Sequence, residues 1–516
     1  MSAPTLDLPP EQISAIITRW QSLDDLFANA LRSGIPPAQA LVRLGIHLCM
    51  HERYDDSLLV LRAAVASSPH EPDYLNNLAV VLERSGRTAE AIPIAEHSLA
   101  LRHAQPDSWI FLGNMKRAQA DLPGAQTAFE TARALDPNAP LAWQGLGLIH
   151  QQQRRHRAAL DCFITCIKLS GPTAPLLAIL GQLFYQTGQF EKSRDAYAAA
   201  IDYDPANPVY RRMQREMQFL CAAIADTPLE EALRIYAQNQ PATPTADDKD
   251  IPQLLQSTFS LLSAFGHEDA ARRIGALRLA LCPTSATAAY LLQALNGATS
   301  LPRSPDAYLR EYFDAFAARF DEHLVGTLGY DIPAQLAAAL IPCLPARPRL
   351  HTLDAGCGTG LCGPTIRPFS AKLTGVDLSP AMLDRARQRL LYDRLICSEL
   401  TTYLCHRAGK EGGGEGGFDL IIAADVLIYF GDLAALAAAF AQALRPGGLC
   451  AFSTERPPLS APSGHQLLPS GRFAHDPAYI LATFQSHFAP RHTSETTIRL
   501  EACRPVPGNI YIFQRP

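Results

Sequence analysis

Asp354, Gly356, Gly358 and Gly360 fall in one short run, Leu353-Asp-Ala-Gly-Cys-Gly-Thr-Gly360. Glycines leave the backbone bare, so a ligand can lie against such a loop where a strand ends. A phosphate-cradling Walker loop would need Gly-Lys-Ser/Thr, and that triplet is missing here. A dinucleotide fingerprint, Gly-x-Gly-x-x-Gly, would place its third glycine where Leu361 stands. The loop is instead Gly-x-Gly-x-Gly behind an aspartate. Asp377 follows in Gly375-Val-Asp-Leu-Ser-Pro380, 21 residues after Gly356. A carboxylate at that point can accept hydrogen bonds from both hydroxyls of a ribose. The chemistry implied is binding of a ribose-bearing ligand at the carboxyl end of a sheet.

The elements that must position these residues are short apolar runs alternating with helices, the pattern of a parallel α/β sheet. The runs predict strands at Leu350–Asp354, Lys372–Asp377, Arg394–Ser398, Phe418–Ala424, Leu449–Thr454, Thr497–Ala502 and Asn509–Gln514. Helices are expected between the early ones, for example over Ala381–Leu391 and Leu433–Leu444. The last two runs are separated only by Cys503–Gly508, too short for a parallel crossover, so the sheet should end in an antiparallel hairpin. Seven strands with that ending resemble a class I methyltransferase, and Asp-x-Gly-x-Gly-x-Gly resembles its S-adenosylmethionine-binding motif.

That resemblance implies S-adenosylmethionine as cofactor, held by Asp354, Gly356, Cys357, Gly358, Gly360, Asp377, Leu378 and Met382. It places Glu399 and Leu400 at the adenine edge. It also puts Asp425, in Ala424-Asp-Val-Leu-Ile-Tyr-Phe430, between cofactor and acceptor. Leu444-Arg-Pro-Gly-Gly-Leu449 turns into the fifth strand, again as in this family. Arg472, His475 and Tyr479 fall between the fifth and sixth runs, a usual place for acceptor recognition. His475 is the first candidate for a catalytic base, with Asp425 beside it. Tyr308, Tyr312, Phe316 and Phe320 recur every four residues, so on a helix they form one aromatic stripe. Such a stripe is either ordinary packing or a lid whose rings suit a sulfonium, and Tyr312 is a candidate substrate contact.

The first half repeats itself. A Leu-Gly or Leu-Ala pair recurs at Leu44-Gly45, Leu78-Ala79, Leu112-Gly113, Leu146-Gly147 and Leu180-Gly181, 34 residues apart each time. A large apolar residue stands three positions earlier in each copy: Leu41, Leu75, Trp109, Trp143 and Leu177. A small one opens the second helix: Ser57, Ala91, Ala125, Ala159 and Ser193. Residues 38–207 thus resemble five tetratricopeptide repeats, helix pairs that must stack because one pair cannot bury its own apolar face. A decayed continuation is expected over 208–300, with Gly266, Ala271 and Pro283 in register for a repeat starting at Pro252 and a loop at 241–250 interrupting it. Residues 1–37 should add a helix from Glu11 to Ser33, and Leu301 should open the methyltransferase domain, 301–516.

The repeat register puts Asn76, Asn114, Gln144 and Gln182 on the inner face, where side-chain amides can satisfy both N–H and C=O of an extended peptide. The preferred reading joins this peptide groove to methylation of a protein or peptide partner. Small-molecule methylation with repeats used for assembly, and a non-catalytic scaffold, stand beside it. The sequences around Tyr308–Leu324, Leu328–Pro333, Gly471–Ile480 and Arg499–Gly508 resemble bacterial methyltransferases that carry tetratricopeptide repeats, so the likeness spans both halves.

The totals agree with two or three domains in 516 residues. A net charge of −5 without a basic stripe argues against nucleic acid, and no apolar run reaches membrane-spanning length. Twelve scattered cysteines without Cys-x-x-Cys point to neither zinc nor disulfides, and they fit a reducing cytoplasm. The glycine-rich run at 409–417 reads as a linker.

Overall fold

A computed structural model describes residues 9–23, 25–240, 249–297, 301–345, 349–408 and 417–516. Most of the interrupting loop (241–248) and of the glycine-rich run (409–416) lie outside the described residues. The chain forms two compact units, Met1–Arg211 and Arg212–Pro516. No helix among the described residues is long and apolar enough to cross a membrane.

The first unit is entirely helical. Two helices, α1 (Pro10–Leu23) and α2 (Asp25–Arg32), stand where one was expected. Five pairs follow: α3 (Pro37–Met50) with α4 (Tyr54–Ser67), α5 (Pro72–Arg84) with α6 (Thr88–Leu101), α7 (Pro106–Ala118) with α8 (Leu122–Leu135), α9 (Pro140–Gln152) with α10 (His156–Ser170), and α11 (Ala174–Gln186) with α12 (Phe190–Tyr203). Proline opens the first helix of four pairs, where its missing N–H leaves no bond unmade.

The 34-residue period has a packing cause. A Cβ on Gly45, Gly113, Gly147 or Gly181 would come within 2.9 Å of Leu61, Phe129, Phe163 or Tyr197, each 16 residues further on in the partner helix. The corresponding pair in the second repeat is Ala79 and Ala95, both buried. Glycine is therefore required where the facing side chain is large, and alanine suffices where it is small. Ser57 and Ser193 take the small position with a further use. Their hydroxyls donate to the carbonyls of Gly45 and Gly181 at 2.7 Å, the same bond four repeats apart. The turn inside each pair needs one left-handed residue, supplied in order by Glu52, Gly86, Ala120, Arg154 and Gly188. Only two of the five are glycine.

The boundary falls within α13 (Pro208–Ile224), and the second unit continues with α14 (Leu229–Gln238), α15 (Ile251–Ala264), α16 (Glu268–Leu281) and α17 (Ala286–Leu295). α15 and α16 form the expected sixth pair, turning at Gly266 (φ +80°) with Ala271 buried. A division at Leu301 does not match the compact units. The Tyr290 hydroxyl on α17 meets Ser304 Oγ at 2.8 Å and donates to the Gly471 carbonyl at 3.0 Å. Glu311, on α18 (Asp306–Phe316), accepts from the Ala286 N–H at 2.8 Å at the start of α17. These bonds tie the last repeat-like helix to the sheet domain.

The sheet contains β1 (Leu350–Ala355), β2 (Ser370–Asp377), β3 (Arg394–Cys397), β4 (Phe418–Ala423), β5 (Leu444–Glu455), β6 (His465–Leu467), β7 (Phe473–His475), β8 (Ala489–Glu501) and β9 (Arg504–Gln514). The order β3-β2-β1-β4-β5 is parallel, and β9 pairs antiparallel with both β5 and β8. Helices α19 (Ile332–Leu340), α20 (Gly363–Ile366), α21 (Pro380–Gln388), α22 (Leu400–Ala408), α23 (Ala434–Ala443) and α24 (Pro477–Gln485) complete the domain. The terminal hairpin is present, closed by Ala502 and Cys503, both left-handed. Two short strands, β6 and β7, raise the count to nine. β8 begins eight residues before the expected Thr497 because its first half is a polar, exposed edge whose pattern resembles a loop.

Two substitutions separate the repeat constraints. Ala120→Gly is expected to stabilise the first unit by about 1 kcal/mol, because a left-handed alanine (φ +62°) becomes unstrained. Gly147→Ala is expected to destabilise it by roughly 1–3 kcal/mol through overpacking on Phe163. Urea denaturation of residues 1–211 followed by circular dichroism reads both, and equal signs would refute the packing account.

Candidate active site

The strand order reverses direction between β1 and β4, and a crevice opens there at their carboxyl ends. The N–H groups of Gly356 and Cys357 both donate to the Val376 carbonyl, at 2.8 and 3.0 Å, which fixes the loop to β2. Gly358 (φ +53°) has nothing within 4 Å of where a Cβ would stand, so this stretch of backbone is open to the crevice. Asp377 accepts from the N–H of Gly358 at 2.8 Å and of Ser379 at 2.9 Å. Burial raises its pKa, although those N–H groups favour the ionised form. The cavity is open at its mouth and has a volume of about 190 Å³.

Of the residues expected at the cofactor, Gly356, Cys357, Gly358, Asp377, Leu378, Met382, Glu399, Leu400 and Asp425 line this cavity. Asp354 and Gly360 do not. Asp354 is 1% exposed, accepts from the Tyr392 hydroxyl at 2.6 Å, and is pushed up to about 7 by burial. It supports the loop from below. Gly360 packs on Tyr392, which a Cβ would meet at 2.9 Å. Glu399 reaches the cavity, but its carboxylate accepts from the N–H groups of Thr401 and Thr402 and from Arg303 at 2.8 Å. It caps α22 as much as it faces a ligand.

The acceptor candidates separate in the same way. Arg472 and Tyr312 line the cavity; His475 and Tyr479 lie outside it. His475 is 1% exposed, and its Nε2 faces the carbonyls of Phe430 and Gly431 at 2.9 and 3.2 Å. Both neighbours are acceptors, so Nε2 carries the proton, and burial pulls the pKa down to about 4. A sealed ring that serves two carbonyls cannot take a proton from a substrate. Tyr479 accepts from the Leu433 N–H at 2.9 Å and donates to Asp432 at 3.1 Å, which fixes the start of α23. The aromatic stripe divides as well: Tyr312, Phe316 and Phe320 line the cavity, whereas Tyr308 is buried against Tyr290 with ring centroids 4.4 Å apart.

The cavity floor holds a buried charge cluster that sequence reasoning missed. Arg499, 1% exposed, donates to Asp425 at 3.0 Å, to Glu501 at 2.8 Å and to Glu455. Arg472 donates to the same Glu501 oxygen. Burial alone would raise the Glu501 pKa, yet the two guanidinium groups hold it at about 2. Asp425 has a left-handed backbone (φ +60°), and its N–H donates to Ser453 Oγ at 2.8 Å. Its second oxygen, Oδ1, is buried with no partner among the described residues. The signal that could have revealed Arg499 and Glu501 was their i, i+2 spacing, which puts two charges on one face of a core strand. His323 was also missed. It lines the cavity from a single π-helical stretch, Glu322–Thr327, and such turns are frequent at functional sites.

Comparison with known proteins shows which domain the crevice lies in. A family described as a methyltransferase domain matches residues 353–450, and tetratricopeptide-repeat families match 42–108, 112–163 and 174–207. Residues 353–450 are a methyltransferase domain preceded by tetratricopeptide repeats. The methyltransferase is of class I, with S-adenosylmethionine as its cofactor. The chain is 35% identical over 156 residues to the biotin biosynthesis bifunctional protein BioCD of Bordetella avium, covering 30% of this chain and 31% of that one. It is 33% identical over 147 residues to human methyltransferase-like protein 27, covering 28% and 56%. At most about half of these relatives' length is therefore matched. The N-methyltransferase NodS of Bradyrhizobium japonicum, solved with S-adenosylhomocysteine, aligns over 40% of this chain and 98% of its own, with a TM-score of 0.31 and 17% identity. The methyltransferase cavity fits the cofactor on its own terms. Open backbone at Gly358 and the Asp377 carboxylate suit the nucleoside, and the unpaired buried oxygen of Asp425 suits a cationic group.

The structural role of His475 has a pH signature. Its folded pKa of about 4 lies below the unfolded value of 6.5, so the unfolded chain binds the proton first. The stability this group contributes is present above about pH 6.5 and is lost as pH falls toward 4, by about 3 kcal/mol at most. Asp354, raised to about 7, acts oppositely over part of the same window, so the difference between proteins is the informative quantity. His475→Gln keeps an N–H donor and cannot titrate. Between pH 7 and 4.5 it is expected to lose less stability than the parent, and parallel curves would show that His475 does not titrate as placed.

Proposed function

We propose that the chain transfers a methyl group from S-adenosylmethionine to a protein or peptide held by its repeats. When bound, the donor supplies an already activated methyl group, so the protein's task is mainly alignment. Asp377 and the Gly356–Gly358 backbone would hold the nucleoside, and Asp425 would take the cationic end. Tyr312, Phe316 and Phe320 would exclude water and face the sulfonium. His323, though exposed, lines the same cavity, and partial desolvation followed by the charge of Arg472 lowers its pKa, so it would be able to accept a proton from an acceptor hydroxyl or amine. His475 is not assigned this role. The 12 cysteines are free, which suits the cytoplasm.

The observation that carries the partner reading is five regular repeats in one chain with a cavity furnished for the cofactor. On the inner positions Asn114 and Gln182 are exposed and Gln144 is half-buried. Asn76 donates to Gln105 at 2.8 Å, so its amide is partly engaged. Capture by the repeats would raise the local concentration of acceptor without adding chemistry.

Replacing Asn76, Asn114 and Gln144 together by alanine is expected to raise KM for the native partner far more than it lowers kcat, since only uniform binding is removed. A small acceptor too short to reach the groove should be unaffected. Unchanged kinetics on the full partner would favour small-molecule methylation, with the repeats serving assembly.

A further inference from the structure

Arg472 occupies an unusual position in the cavity wall. Its side chain is only 20% exposed, yet it makes a single side-chain hydrogen bond, from Nη1 to Glu501. A guanidinium has five N–H donors, and a buried one left short of acceptors is costly. Neither Nε nor Nη2 is among the buried atoms left without a partner, and the residue lines the cavity, so these donors are accessible from there.

Two phenols stand with it. Tyr312 on α18 and Tyr429 after β4 line the same cavity, and neither hydroxyl has a hydrogen bond to protein among the described residues. Both rings are fixed. Phe313 packs on Tyr312 at 5.3 Å and on Tyr429 at 5.7 Å, and Tyr308 packs on Tyr312 at 5.8 Å. Burial raises the pKa of Tyr429 further above neutrality, so its hydroxyl remains a donor. Burial opposes the charge of Arg472, whereas Glu501 and Glu455 favour it, and both carboxylates are also held by Arg499. Asp425, the cluster's carboxylate that reaches the cavity, is paired with Arg499 through Oδ2, and its other oxygen, Oδ1, is the one assigned above to the cationic end of the cofactor. The wall therefore offers a fixed cation edge and two neutral O–H donors, which matches an anion.

We propose that Arg472, Tyr312 and Tyr429 form a subsite for an oxyanion, a carboxylate or a phosphate, carried by the methyl acceptor. The planar fork of arginine binds either group through paired N–H donors, which lysine would not reproduce. This rests on the methyltransferase reading of the same cavity and adds the charge class of its acceptor. An acceptor carrying only cationic or neutral groups would leave the Arg472 donors unmatched.

The test is calorimetry on the full chain, first with S-adenosylhomocysteine alone. Succinate and inorganic phosphate are then titrated separately into the complex at constant ionic strength. The subsite predicts saturable binding of at least one, and the stronger of the two identifies the carboxylate or the phosphate source. Arg472→Gln is expected to weaken that binding at least about tenfold, as loss of one charge-assisted pair requires. Tyr312→Phe removes one hydroxyl while keeping its ring contacts, so it remains informative should Arg472→Gln fail to fold. It is expected to weaken binding several-fold. If S-adenosylhomocysteine itself does not bind, the methyltransferase reading falls and the subsite with it. If it binds while neither anion does, or if both variants bind the anion undiminished, only the subsite is overturned.

Discussion

Arg499 carries a charge into a part of the sheet that water does not reach, and three carboxylates answer it. They come from chain segments far apart in sequence: Asp425 after β4, Glu455 at the end of β5, and Glu501 at the end of β8. Removing a charge from water costs several kcal/mol, and that cost is offset only while the partners stay in hydrogen-bonding geometry. The interaction therefore ties together the ends of three strands. It also explains how Asp425 keeps its left-handed backbone, since its N–H is held by Ser453 and one carboxylate oxygen by Arg499. The cavity floor is set by electrostatics, and the apolar layers above and below the sheet only need to leave it dry.

A second wall of the cavity is held by hydrogen bonds of its own. Asp314 accepts from the Ser379 hydroxyl, and Asp321 accepts from Thr359 and Arg389, each at 2.5 Å. The aromatic helix and the turn after it are thus joined to the loops bearing Asp377 and Gly358. Arg472 links floor and wall. It shares Glu501 with Arg499, and its neighbour Gly471 accepts from Tyr290 on the last repeat-like helix. A Cβ on Gly471 would meet Leu291 at 2.7 Å, so α17 packs closely on the loop that presents Arg472. The sixth helix pair and α17 lie in the same compact unit as the sheet, even though their pattern is that of the repeats.

The first unit follows a different logic. Each helix pair repeats one set of short-range constraints: a small residue against a large one, a proline at a helix start, and a left-handed turn. Such constraints are local, and stability builds by stacking one pair on the next. The Nε1–H of Trp109 and of Trp143 shows this on a small scale, each donating to the carbonyl six residues earlier, His103 at 2.9 Å and Pro137 at 2.8 Å. No buried charge is needed to hold that architecture.

The features legible in the sequence were those that repeat or that act within a few residues. The 34-residue period revealed the five helix pairs because one close approach recurs in each, glycine against a large side chain in four and Ala79 against Ala95 in the second. The alternation of short apolar runs with helices, and the short link near the end, foretold a parallel sheet closed by a hairpin. The glycine loop and Asp377 could be read together because β1 and β2 are neighbours and their ends meet. What the sequence could not specify was the partner of a side chain far along the chain, such as Asp425 for Arg499, 74 residues away. His475 looked available as a base until the fold sealed it against two carbonyls, and Tyr479 became an anchor for a helix. Asp354 went under the loop and not into the cavity. Arg499, Arg472 and Glu501 acquired their meaning only when three distant strand ends converged. Local pattern decides which face of an element is apolar; the environment of a charge depends on every segment that packs around it, and that is settled by tertiary structure.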